Sequence, residues 1–117
     1  MSVFWVAMWT VRPEAVDEHD GQALPQLLEH VRRDHPRVLT ARTWNVMWGS
    51  EPARPGRVWI EEFASLTAID ELEAKEGTPA CKEVWDRIYK LAVPGTFRTA
   101  IWTDPFREAW KEITSET

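Results

Sequence analysis

An α+β domain, one antiparallel sheet with helices on a face, is the fold class this sequence predicts, and three observations predict it. Segments with two-residue apolar alternation and segments with helical spacing follow in the order strand, helix, strand, strand, helical pair, strand. The 117 residues suffice for one core and call for no second domain. No internal repeat or low-complexity tract interrupts the order.

The first strand spans 3–11. One face carries Val3, Trp5, Ala7, Trp9 and Val11, the other Phe4, Val6, Met8 and Thr10, so both faces are expected to be buried. The polar stretch RPEAVDEHDGQ at 12–22 is expected to be a link. Leu24, Leu27, Leu28 and Val31 then recur at helical spacing, with Pro25 tolerated in the first turn and DHP at 34–36 as the stop. A second strand over 37–48 places Thr40, Arg42, Trp44, Val46 and Trp48 on one side and Leu39, Ala41, Thr43, Asn45 and Met47 on the other. GSEPARPG at 49–56 is a loop by composition, and RVWIEEF at 57–63 resumes β character, which predicts a hairpin.

The second helical region is split in two. Over 65–77, Ser65 or Thr67 caps a short helix with Leu66, Ile69 and Leu72 as its stripe and Gly77 as its stop. Thr78 caps the next helix, Pro79 takes its first position, and Ala80, Val84, Trp85, Ile88, Leu91 and Ala92 form its expected buried face before PG at 94–95. The last strand is 96–103. Residues 1–104 thus make one domain, and 105–117 a tail helix with Phe106, Ala109, Trp110 and Ile113 at helical spacing.

This β-α-β-β-α-β order is the ferredoxin-like arrangement, in which helices cover one sheet face. The outward face here is also apolar, and large apolar patches are rare on soluble monomers. A second copy of the sheet, related by a two-fold axis, is the economical cover; long loops or the tail helix are the alternative. The balance of 14 basic and 19 acidic residues, net charge −5, argues against nucleic acid and against anionic membrane surfaces as partners. Glu61 and Glu62 also stand where an RNA-recognition sheet needs apolar groups. One cysteine, Cys81, makes no internal disulfide and no cysteine-cluster zinc site, and with no signal-like segment a cytoplasmic location is expected.

The EFASL junction at 62–66 and TPACKEVWDRI at 78–88, in this element order, resemble the dimeric α+β barrel superfamily, with its antibiotic-biosynthesis monooxygenases, stress-responsive barrel proteins and NIPSNAP-like proteins. The resemblance spans residues 3–103. It implies a homodimeric barrel of sheets packed face to face, with a small apolar pocket between sheet and helices in each subunit. It also implies a hydrophobic or aromatic small-molecule partner and, in some members, cofactor-independent oxygenation.

Eight tryptophans are the most distinctive feature of the composition. Trp5, Trp9, Trp44, Trp59 and Trp85 are candidates for stacking a flat substrate; the alternative is that they are core and interface residues. Relatives use Trp and Asn to hold substrate and stabilise an oxyanion, which nominates Asn45 beside Trp44, although strand neighbours face opposite sides. His19, in the link, is the candidate acid or base; His30 is placed on a helix flank and His35 at a helix end. Arg42 either joins Arg98, Glu61 and Glu62 in ion pairs or holds a substrate carboxylate or phenolate. EHD at 18–20 has ligand chemistry without paired histidines, so no metal is expected, and no cofactor. Two function classes follow: a cofactor-independent monooxygenase acting on a hydrophobic aromatic substrate, or a non-catalytic ligand-binding or stress-associated dimer. A haem-binding relative with His19 as axial ligand is a further alternative.

Overall fold

The computed structural model describes residues 2–46, 55–75 and 79–103, with 72–75 as backbone only. Four strands, β1 (Val3–Thr10), β2 (Thr40–Val46), β3 (Gly56–Phe63) and β4 (Arg98–Thr103), form one sheet in the order β2-β3-β1-β4. All pairings are antiparallel. This is the ferredoxin-like topology, and β2 and β3 pair as the alternation predicts, Thr40 opposite Glu62 and Val46 opposite Gly56.

The register sorts the two faces. Val3, Trp5, Ala7 and Trp9 lie opposite Phe63, Glu61, Trp59 and Arg57 on the side that meets the helices. Phe4, Val6 and Met8 lie opposite Glu62, Ile60 and Val58 on the other side, where Arg42, Trp44, Ala100 and Trp102 join them. Trp44 and Trp102 are each about half exposed on this outer face. The main core lies on the inner side, where Ala7, Trp9, Trp59, Leu24, Leu27, Val31, Val84 and Ile88 are buried together.

Residues 12–22 depart from expectation: the link is helical. A 3-10 turn (Pro13–Ala15), one α turn α1 (Val16–Glu18) and a π turn (His19–Ala23) run into α2 (Leu24–Asp34). Ala15, His19 and Ala23, four residues apart, form a narrow buried stripe that the surrounding charged residues mask in the sequence. The π turn has a local cause. Pro25 has no N–H to give and its ring crowds the carbonyl four residues back, while the Leu24 N–H reaches the His19 carbonyl one residue further than in an α-helix.

Two helices close the inner face. In α3 (Leu66–Lys75), Ser65 is the cap, its Oγ accepting from the Ala68 N–H at 3.3 Å. Ala68 and Ile69 pack on Val3 and Phe63, whereas Leu66, expected in the stripe, is exposed because the register falls on Ala68 and Ile69. In α4 (Pro79–Leu91), Pro79 opens the helix as expected, and the stripe runs through Cys81, Val84, Ile88 and Ala92. Ala80 is exposed: a stripe spaced three and four residues back from Val84 and Ile88 lands on Cys81. Gly95 ends the segment at φ +80°. Leu72, Gly77 and Thr78, Trp48 and Met47, and the tail expected over 105–117 fall outside the described residues or side chains.

Candidate functional site

Trp85, projecting from α4, is the centre of an aromatic cluster on the inner face. Its indole meets Trp5 at 5.5 Å, Phe97 at 6.1 Å, Trp9 at 6.2 Å and Trp59 at 6.4 Å between ring centroids, each near perpendicular. Trp9 in turn stacks on Phe97 at 5.5 Å with 15° between planes, and Tyr89 sits edge-on to Phe97 at 4.7 Å. Edge-to-face and offset pairs are the preferred aromatic geometries, each contributing about 0.5–1.5 kcal/mol beyond burial. The cluster is therefore a stiff wall. Against it lies a cleft of about 360 Å³ lined by Trp5, Cys81, Lys82, Trp85, Asp86, Tyr89, Phe97 and Thr99. Alternation on β1 and β4 supplies Trp5 and Thr99, and successive turns of α4 supply Cys81, Trp85 and Tyr89.

Behind that wall runs a polar chain. His19 is fully buried. The Trp9 indole N–H donates to His19 Nε2 at 2.9 Å, and an indole can only donate. Nε2 is therefore the acceptor, and the proton sits on Nδ1, which faces Asp20 Oδ1 at 2.7 Å. Burial pushes the His19 pKa below its ordinary 6.5, against the opposing pull of the Asp20 carboxylate. Asp20 grips Arg57 with both oxygens, Nε at 3.1 Å and Nη2 at 2.7 Å, and these hydrogen bonds hold its carboxyl below the ordinary 3.8. Arg57 also donates to the Gly56 carbonyl at 2.9 Å. On the same face the Trp59 indole donates to the buried Glu61 Oε1 at 3.0 Å, two residues along one strand.

The candidate residues divide accordingly. Trp5 and Trp85 line the cleft; Trp9 and Trp59 stand behind it, against Trp85. Trp44 and Arg42 face the opposite side of the sheet. Asn45 does share the inner side, opposite Arg57 and away from the cleft, so the pleat separates it from Trp44. His19 lies in the π turn rather than in a loop over the cleft mouth, and both ring nitrogens are engaged. That geometry does not fit an axial haem ligand. Glu62 accepts from Ser2 Oγ at 2.7 Å and Thr40 Oγ1 at 3.1 Å, and Glu61 Oε1 accepts from the Trp59 indole. The sequence reading missed Asp20, Arg57, Tyr89, Phe97 and Thr99. A signal existed for two: an acid beside His19, and the aromatic Phe97 inside the predicted last strand, immediately before β4.

No family model matches the sequence. No curated protein matches it either. Solved structures do. A dimeric ferredoxin-like protein of unknown function from Jannaschia sp. CCS1 aligns over 89% of this chain and 100% of its own, with TM-score 0.66 and 12% identity. An antibiotic biosynthesis monooxygenase aligns over 87% and 97%, with TM-score 0.64 and 19% identity. SnoaB of Streptomyces nogalater, a cofactor-independent oxygenase, aligns over 89% and 93%, with TM-score 0.59 and 13% identity. Among the described residues no helix is long and apolar enough to cross a membrane. The chain has the ferredoxin-like α+β fold of the antibiotic-biosynthesis-monooxygenase-like proteins.

Proposed function

We propose that this protein is a homodimeric α+β barrel that binds a flat hydrophobic aromatic molecule in the cleft against Trp85, and that it oxygenates that molecule without a cofactor. The observation that supports it best is the aromatic wall: Trp5, Trp85, Phe97 and Tyr89 present ring surface to a space of about 360 Å³, the size of a small polycyclic ligand. Lys82, Asp86 and Thr99 at its rim supply the few polar groups that fix a ligand's orientation. With no cofactor, the electrons that dioxygen takes come from the substrate itself, which selects an electron-rich ring such as a phenol.

His19 acts in this reading as a positioning residue. Its Nε2 fixes the Trp9 indole, and Trp9 stacks on Phe97 in the cleft wall. Asn45 and Arg42 lie too far round the sheet to touch the same molecule, and Arg42 and Trp44 belong to the face proposed to meet a second copy. A non-catalytic binding dimer is the second reading, favoured by one observation: the imidazole nitrogen that would take a proton is occupied by an indole N–H.

Tryptophan fluorescence titrated with a panel of polycyclic phenols tests the cleft. Quenching with oxygen consumption supports the oxygenase, and quenching without it the binder. Trp85→Ala is expected to weaken the binding at least about tenfold, since it removes the central anchor of the site. Wild-type protein that no phenol quenches overturns both.

A further inference from the structure

We propose that His30, His35 and Cys81 form a binding site for a divalent transition metal of the zinc class. The three are brought together where the C-terminal end of α2 meets the first turn of α4: His30 in the last turns of α2, His35 at its C-cap, Cys81 in α4. All three are buried, and one donor atom from each lies within 4.8 Å of the others. The two imidazoles meet edge-to-face at 5.0 Å.

A cluster of ligand-type residues alone decides nothing; His30 adds the second observation. Its ring is 3% exposed, and Nε2 has no hydrogen-bond partner among the described residues. An unsatisfied buried polar atom costs about 1–3 kcal/mol, and burial of this kind calls for a partner. Nδ1 of the same ring lies 2.9 Å from Asp34 Oδ2, though out of line for a formed hydrogen bond. His30 gives one ring nitrogen to the donor set, and a carboxylate beside Nδ1 with Nε2 left without a hydrogen-bond partner matches the second-sphere support that orients metal-binding imidazoles.

The donor set fits zinc and cobalt(II): two imidazoles and a thiolate, borderline and soft. Bond lengths of about 2.0–2.1 Å to nitrogen and 2.3 Å to sulfur set tetrahedral edges near 3.3–3.6 Å, so the donors need to close by about 1 Å. On binding, the Cys81 thiol gives up its proton to solvent and the sulfur–metal bond replaces the S–H bond. There is also a way in. His35 lines a hollow of about 400 Å³ at the corner between α2 and β2, and Cys81 lines the aromatic cleft. Three protein donors leave a fourth position, and Cys81 places the site against the cleft wall.

Cobalt(II), added to the full-length chain after chelator treatment, tests the site independently of any aromatic ligand. The expected result is one equivalent bound, with visible d–d bands, a near-ultraviolet thiolate-to-cobalt band and displacement by zinc. Cys81→Ser is expected to abolish the thiolate band and weaken binding by about 100-fold or more. Asp34→Asn, at an exposed position that contributes no donor, is expected to keep the spectrum and weaken binding about tenfold. Folded wild-type protein that develops no thiolate-to-cobalt band, or cobalt affinity unchanged in Cys81→Ser, overturns the proposal.

Discussion

At the scale of single residues, His19 and Asp20 set how stability responds to acid. His19 is neutral and buried, with its pKa below 6.5 in the folded chain. Unfolded protein therefore binds more protons below pH 6.5, so this contribution is complete above 6.5 and is lost as pH falls toward the lower folded value. Asp20, held below 3.8 by Arg57, contributes above 3.8 and loses that contribution as pH falls further. Urea-unfolding free energy measured against pH should decline in an upper and a lower acid step, and His19→Gln should shrink the upper one. An unchanged profile in that variant would remove His19 as its source. At neutral pH, Asp20→Asn should cost about 1–2 kcal/mol, the range for losing charge-assisted hydrogen bonds, set low because Asp20 is partly exposed.

Among the elements, the π turn and the Gly95 turn make opposite demands on glycine. Gly21, inside the helical π turn, has open space around its absent side chain and no positive φ. Gly21→Ala should raise stability by about 0.4–1 kcal/mol by narrowing the unfolded ensemble. Gly95 sits at φ +80° after α4, where Gly95→Ala should lower stability by about 1–2 kcal/mol. Thermal midpoints of the two variants should move in opposite directions. The strands and α4 were legible because their apolar periods are unbroken. The π turn was not, since Pro25 and the charges around His19 look like a break when the period changes from α to π. The cleft was legible only in part. Alternation set Trp5 on one face with Trp9 without saying which face met the helices; Phe97, next to β4, reaches it through the β1–β4 pairing, whose partners lie 90 to 100 residues apart in sequence, and Tyr89 through α4. The separation of Trp44 from Asn45 was predictable from the pleat alone; which of them faced the helices required the register against β3.

At the scale of the whole molecule, the outer face is the unfinished part of the structure. Met8, Trp44 and Trp102 stand exposed there around the buried Val6, beside Phe4, Val58 and Ile60. Three bulky apolar side chains on one sheet face are an arrangement that a second copy of the sheet would cover. The wild type is expected to sediment as a dimer, and the double variant Trp44→Glu/Trp102→Glu as a monomer at the same concentrations, with unchanged far-ultraviolet circular dichroism. Wild type that sediments as a monomer at micromolar concentration would sink the barrel assembly. The inner face would be untouched by that outcome.

The indole hydrogen bonds of the inner face have one more consequence. Trp9 and Trp59 each hand their ring proton to a buried acceptor, His19 Nε2 and Glu61 Oε1. In deuterated solvent those two protons should persist in the NMR spectrum until the domain opens as a whole, while the ring protons of Trp44 and Trp102 vanish at once on an isolated subunit. The same chain thus contains its own clocks: two that time global opening, and two that would time the parting of the proposed subunits.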